Sequence, residues 1–334
     1  MRKLRISTAV IASTLSISLL AACSSSAEDS AAENTASSTT ASSTTDTATS
    51  DTRTIEHAMG TTELSEPIKT VVALDRGLLD PAIALCLDVV GFTEIAGSDG
   101  IPEYFGEDGK KCAADAVSVG SLSEPSIEQI SSLKPDAILS AKVRHEEIYD
   151  QLDKVAPTIF TEKTGEPWKE NLKLVGEAVE KKDEATSLIK EYEDRAQRIG
   201  DRVREKLGKN PTISVVRFLD EPTRLYKKDT YIGVVMSDLG FETNEAASGT
   251  GFNEEISEEQ ISLIDADHIF ITTYADDEGI SERTKEEFKR NPLWDRLEGE
   301  VSEVEDGIWM SAVGLYGANA VLDDIAETFG VDAD

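Results

Sequence analysis

The residues of this chain with most chemical potential are cations placed where apolar runs end. Ser140-Ala141-Lys142-Val143-Arg144-His145 follows one such run, Arg217 sits near the end of Ser214-Val215-Val216-Arg217-Phe218, and Arg76 follows the run at 71–74. An arginine offers a planar fork of donors and a lysine a compact point charge, so Arg76, Lys142, Arg144 and Arg217 are suited to holding an anionic surface. Groups that would transform a bound molecule are missing. There is no Gly-rich phosphate loop, no Gly-x-Ser-x-Gly elbow and no His-Glu-x-x-His. The 3 histidines, at 57, 145 and 268, are scattered, and only His145 falls at a strand end. A zinc or manganese site needs several converging ligands, so neither a resident metal nor a cofactor is expected.

Secondary structure must carry these cations to one place. Short apolar strands at 71–74, 117–119, 137–140 and 158–161 alternate with helices predicted at 78–90, 126–133 and 146–155, which argues for a mainly parallel sheet. Ligands of such sheets sit at the carboxyl ends of the strands, where these cations lie. A second set of strands at 213–218, 269–273 and 301–304 alternates with helices at 231–239, around Phe288, at 293–297 and at 318–329. Between the two sets, after a helix opening near Pro167, Ala185, Leu188, Ile189, Tyr192, Ala196, Ile199, Val203 and Leu207 recur at steps of three and four until Gly208 and Pro211 close the pattern. This predicts one amphipathic helix over Lys182–Leu207, about 39 Å long at the usual rise, a strut between two α/β lobes. The cleft between them is the expected ligand site.

Composition sets the compartment and excludes some partners. With 334 residues, 39% hydrophobic, the chain has room for two lobes with buried cores, and its formal charge of -32 makes nucleic acid a poor partner. Arg2, Lys3 and Arg5 precede an apolar stretch at 6–22 that ends Leu20-Ala21-Ala22-Cys23. This resembles the lipobox of bacterial lipoproteins, which implies that residues 1–22 are removed and Cys23 is lipidated; an ordinary signal peptide is the alternative. Acyl chains would then hold the protein on the outer face of the cell membrane. Residues 24–54 contain no Leu, Ile, Val, Phe, Tyr or Trp and read as a disordered tether with a reach of about 30 Å. Cys86 and Cys112 remain, an even pair in an oxidising compartment, expected as a bridge, with two buried thiols as the alternative.

A family resemblance joins these readings. Pro135-Asp136-Ala137-Ile138-Leu139, the Lys142-x-Arg144-His145-Glu146 turn, Ala156-Pro157-Thr158, Trp168-Lys169-Glu170-Asn171-Leu172, Val215-Val216-Arg217-Phe218, Asn291-Pro292-Leu293-Trp294, and Gly317-Ala318-Asn319 with Leu322-Asp323-Asp324-Ile325 occur in this order. Together they resemble the iron-siderophore-binding lipoproteins of ABC importers, across nearly all of 70–329. The resemblance implies the class III periplasmic-binding-protein fold, α/β with two Rossmann-like lobes joined by one long rigid helix. The lobes would be 55–165 and 208–334, with a helical segment at 166–207. In the hydroxamate and citrate-hydroxamate branch, positions matching Lys142, Arg144 and Arg217 face the cleft. Arg76 is a further candidate, and Tyr231, Tyr274 and Trp309 would pack against the chelate or serve as core aromatics. Iron would arrive already chelated, so the protein would need no metal ligand of its own. The resemblance also implies permease docking through Glu124 on one lobe and Glu255 or Glu259 on the other, and the protein is expected to act as a monomer. Residues 275–283 read as a polar insertion, and Tyr316 stands where the family has a small residue; both are expected beside the cleft. The rival readings are a receptor for haem, corrinoid or free metal, and a tethered cell-wall enzyme.

Overall fold

The structure, a computed structural model, describes residues 52–94 and 100–334. Cys23, the signal segment and nearly all of the expected tether lie outside the described residues. Two of the tether's last residues are strand: β1 (Arg53–His57) pairs with β2 (Gly60–Leu64) in an antiparallel hairpin whose turn donates from the Ala58 amide to the Phe160 carbonyl at 2.9 Å. Ile55 and Leu64 point inward and are buried, and of the hairpin only the polar Arg53 and Thr54 were assigned by composition to the tether.

The first lobe contains β3 (Thr70–Ala73), α1 (Arg76–Ala84), β4 (Asp88–Glu94), α2 (Gly106–Cys112), β5 (Val117–Ser121), α3 (Ile127–Leu133), β6 (Ala137–Ala141), the short turns α4 (Lys142–His145) and α5 (Tyr149–Leu152), and β7 (Thr158–Thr161). Its sheet is parallel throughout in the order β5-β4-β3-β6-β7. The helix predicted over 78–90 is in fact two elements. α1 stops at Ala84, Cys86 turns the chain at φ 48°, and Asp88 with the β-branched Val89 and Val90 begins β4. A continuous apolar run fits a buried strand as well as a helix, and here the strand prevails. The helix predicted over 146–155 is likewise broken into short turns.

Two helices lead to the second lobe, α6 (Trp168–Ala178) and the strut α7 (Lys182–Leu207), which has the predicted bounds. Ala185, Ile189, Tyr192, Ala196, Ile199 and Val203 are its buried stripe, Asp183 and Glu184 lie in its first turn and Arg204 and Lys206 in its last, as the helix dipole favours. Gly208 ends it at φ 69°, a conformation open to glycine at little cost. The second lobe comprises β8 (Thr212–Phe218), β9 (Thr223–Tyr226), α8 (Tyr231–Asp238), β10 (Glu242–Thr243), β11 (Asn253–Ile256), β12 (His268–Thr273), α9 (Ile280–Arg290), β13 (Glu300–Glu303) and α10 (Leu315–Phe329). The sheet order is β11-β9-β8-β12-β13, with β10 also beside β8; β9 is antiparallel to β8 and β11 to β9, and the rest is parallel.

One core crosses the molecule. It runs from Leu79 and Ile83 of α1 through Trp168 and Tyr192 to Phe270 and Val321 of the second lobe, while smaller cores cover the outer faces of the two sheets. A polar tie reinforces it: the buried Asp80 of α1 accepts from the Leu315 and Tyr316 amides at 2.7 and 3.0 Å, capping α10 from the other lobe. Gly314, at φ 154°, makes this approach possible, because a Cβ there would lie 2.1 Å from the Asp80 Cγ. Cys86 and Cys112 are disulfide-bonded with Cα atoms 5.4 Å apart, joining the end of α1 to α2.

Candidate functional site

Both sheets end at one cleft. After β3 come Asp75 and Arg76, after β6 Lys142 and Arg144, and after β7 Lys163; on the second lobe β8, β12 and β13 deliver Arg217, Tyr274 and Asp306. Between them is a cleft of about 250 Å³, lined by Arg144, Lys163 and Glu166 from the first-lobe side and by Arg217, Arg224 and Tyr226 from the second. A larger hollow of about 520 Å³ lies at the opposite, amino ends of β8, β12 and β13. Its lysine, Lys209, is engaged by Asp267 at 2.5 Å, and it lacks the convergence of cations from two lobes.

The cations of the cleft are not bare. Arg144 Nε donates to Asp75 Oδ2 at 3.0 Å, and the other Asp75 oxygen caps α1 through the Gly77 amide at 2.7 Å. Arg217 donates from Nε and Nη2 to the two Asp306 oxygens, both at 2.6 Å, and the Thr272 hydroxyl donates to Asp306 Oδ1 at 3.0 Å. Burial alone would lower the Arg217 pKa, but the Asp306 hydrogen bonds and charge reverse this and raise it, so the guanidinium is firmly charged. Burial lowers the Arg76 pKa, which the nearby carboxylates of Asp75 and Asp306 oppose, and Arg76 is not among the residues lining the cleft. Each wall thus carries an arginine held by a carboxylate, Arg144 by Asp75 on the first lobe and Arg217 by Asp306 on the second. At the edges Lys163 pairs with Glu166 at 2.9 Å and Arg224 with Glu221. Lys142 lies 3.6 Å from Glu162 and is not among the residues lining the cleft.

Local structure explains why the Arg144 turn is fixed. His145 is buried; its Nε2 donates to the Leu122 carbonyl and its Nδ1 meets the Ser140 hydroxyl, both at 2.7 Å, and burial lowers its pKa. It remains a neutral imidazole that pins the turn after β6 to the loop after β5.

The aromatic candidates divide. Trp309 is 0% exposed, stacks on Phe270 at 4.6 Å and donates from Nε1 to Asp324 at 2.7 Å; Tyr231 is also buried, and its hydroxyl donates to the Gly314 carbonyl at 2.9 Å. Both belong to the cleft wall as largely buried residues whose polar ends are already taken. Tyr274 is half-buried, with its ring centroid 5.3 Å from the Arg217 guanidinium carbon, a cation–π contact. Phe252, unremarked in the sequence, is 56% exposed on the cleft lining and sits edge-on to Tyr226 at 5.3 Å.

Residues 275–283 do not line the cleft: Asp276 accepts from the Ile280 and Ser281 amides, both at 2.8 Å, and the segment runs into the first turn of α9. Tyr316 also points elsewhere, donating to Asp108 at 2.7 Å. Glu124, in the loop after β5, and Glu255 and Glu259, on and just after β11, are all exposed. Among the described residues, no group of three or more His, Cys, Asp or Glu is arranged to hold a metal ion, and no helix is long and apolar enough to cross a membrane.

Lys163, Arg224 and Tyr226 line the cleft, and Asp75 and Asp306 hold its arginines, without having been named as ligand candidates from sequence. Asp75 carried a signal, a carboxylate between a strand and a helix, the usual place of an N-cap. Asp306 carried none, being one of 65 acidic residues.

Known proteins share this architecture. The periplasmic binding protein family matches residues 78–298. The probable siderophore-binding lipoprotein YfiY of Bacillus subtilis is 36% identical over 293 residues, 83% of this chain and 87% of that protein. The Fe(3+)-citrate-binding protein YfmC of the same organism is 31% identical over 273 residues, 80% and 82% of the two chains. Among solved structures, Staphylococcus aureus SirA complexed with staphyloferrin B superposes with a TM-score of 0.76 at 33% identity, covering 84% of this chain and 100% of that one. With its two lobes, parallel sheet cores and single long strut, the chain belongs to the periplasmic binding protein family.

Proposed function

We propose that this protein is an extracytoplasmic receptor, held to the cell membrane by lipid on Cys23, that captures a ferric siderophore in the inter-lobe cleft and delivers it to an ABC importer. The observation that carries the reading is the cleft itself, where Arg144 of one lobe and Arg217 of the other line the same space. A ferric chelate built from carboxylates presents anionic oxygens on several sides, and guanidinium groups approaching from two walls match that distribution. The names of the relatives and of the SirA complex support the same ligand class. Iron would be held by the siderophore, with protein cations contacting the chelate's outer oxygens. Glu124 on the first lobe and Glu255 or Glu259 on the second are the acidic contacts proposed for the permease, all exposed, in a loop, on the edge strand β11 and in the 3-10 helix after it respectively.

The test is a titration of the purified chain without residues 1–22, followed by tryptophan fluorescence, against ferric citrate, ferric staphyloferrin B, a ferric hydroxamate, a ferric catecholate, haem, a corrinoid and free Fe(III). Saturable binding of at least one ferric siderophore, absent for free Fe(III), is expected. Saturable binding of haem, corrinoid or free metal with no siderophore response would overturn the reading.

A further inference from the structure

One edge of the Arg217 guanidinium is already occupied. Its Nε and Nη2, the edge that would clamp a ligand carboxylate, are held by both oxygens of Asp306, and the two side chains are only 14% and 11% exposed. Asp306 is in turn fixed by the Thr272 hydroxyl from β12, and Thr272 is fully buried. Arg217 can therefore offer a ligand only what Asp306 leaves, in one orientation. Tyr274 closes on the same guanidinium, with its ring centroid 5.3 Å away.

Two roles are open to such a carboxylate. As a competitor it would leave when an anionic ligand arrives, and removing it would tighten binding. As a positioning group it would stay, and removing it would loosen the arginine and weaken binding. Burial, a two-bonded ion pair and a third bond from a buried hydroxyl all oppose departure. The first lobe repeats the device with a different partner: Asp75 is fixed by the Gly77 amide and holds Arg144 at Nε.

Resting on the siderophore-receptor reading, we infer that Asp306 is a positioning residue for ligand recognition, fixing Arg217 so that it presents one face to an anionic ferric chelate. An arginine held in this way has already lost its rotamer freedom before the ligand arrives, so that loss does not subtract from affinity. The two carboxylates also offset the charges of the arginines they hold. Recognition then depends on where the donors point more than on bulk attraction.

The experiment is a double-mutant cycle on affinity, with ferric citrate and ferric staphyloferrin B as probes and melting measured alongside. Asp306→Asn keeps the shape and removes the charge; it should weaken binding about tenfold, the loss expected for one charge-assisted contact. Arg217→Ala should weaken binding by a similar factor, and the double variant should bind no worse than Arg217→Ala alone, because Asp306 acts only through Arg217. Where Asp306→Asn does not fold, Thr272→Val serves: it removes one bond to Asp306, leaves every charge in place and should cost roughly threefold in affinity. Tighter or unchanged binding by Asp306→Asn, multiplied losses in the double variant, or unchanged affinity in Thr272→Val in place of Asp306→Asn would each overturn the inference. A parent that binds neither probe would overturn the receptor reading for this ligand class and the inference with it, whereas a binding parent with indifferent variants overturns the inference alone.

Discussion

Asp80→Asn should change how the stability of this protein depends on pH. Burial raises the Asp80 pKa from 3.8 to about 7, against the opposing hydrogen bonds from the backbone of Leu315, Tyr316 and Gly317. The facing groups do not relieve the charge: Tyr104 and Tyr231 are neutral phenols whose own pKa values burial raises, and Tyr316 is likewise raised, by burial and then by its bond to Asp108. A carboxyl whose folded pKa exceeds its unfolded one contributes stability that is full below the unfolded value and is lost as pH rises through the folded one. The affected window is therefore about pH 4 to 7. One unit is worth about 1.4 kcal/mol, so between pH 5 and pH 8 the parent should lose roughly 2.5 kcal/mol that the Asn variant, which does not titrate, keeps. Asn also presents an amide donor to a backbone amide, a cost of about 1–3 kcal/mol that is constant with pH and does not disturb the comparison. Urea unfolding of both proteins at pH 5, 6, 7 and 8 measures the difference. A stability difference that is flat across the series would show that the Asp80 carboxyl titrates in its ordinary range and would refute the reasoning.

Three further outcomes are expected. Arg217→Ala removes both bonds to the mostly buried Asp306 carboxylate and should lower stability by about 3–5 kcal/mol as well as weaken ligand binding, while Arg144→Ala removes one bond to Asp75, which keeps its Gly77 amide, and should weaken binding with a smaller loss of stability; denaturation and titration of each variant separate the two. Cys23→Ser should release the protein from membranes or leave it unprocessed, and membrane retention with signal cleavage intact would exclude the lipid anchor. Cys86→Ala with Cys112→Ala opens a loop of 26 residues in sequence separation and should cost roughly 3 kcal/mol of unfolding free energy, read by chemical denaturation of the oxidised parent against the variant.

What could be read in the sequence was whatever local period or strand ends decide. The strut was legible because a 26-residue amphipathic stripe has one solution, and Gly208 marks its end. Arg144 and Arg217 were legible as cleft residues because both follow or close buried parallel strands. The rest depended on tertiary contact. The run through Cys86 was ambiguous until the sheet claimed Val89 and Phe92. Trp309 and Tyr231 do line the cleft, but sequence does not show that Asp324 and Gly314 already take their polar ends. Asp306 was hidden by abundance: in so acidic a chain no composition argument separates the carboxylate that fixes an arginine from those that face solvent.

The continuous core and the Asp80 cap on α10 give the two lobes a second connection beside the strut. Lobes braced twice have little room to rotate, so the outer faces keep nearly the same spacing whether the cleft is empty or filled. For an importer that docks on those faces as proposed, empty and loaded receptors should then differ little in affinity, and each occupied docking site would be a sample of the receptor pool. Uptake should follow the fraction of receptors carrying cargo more closely than their number, and adding empty receptor should slow transport.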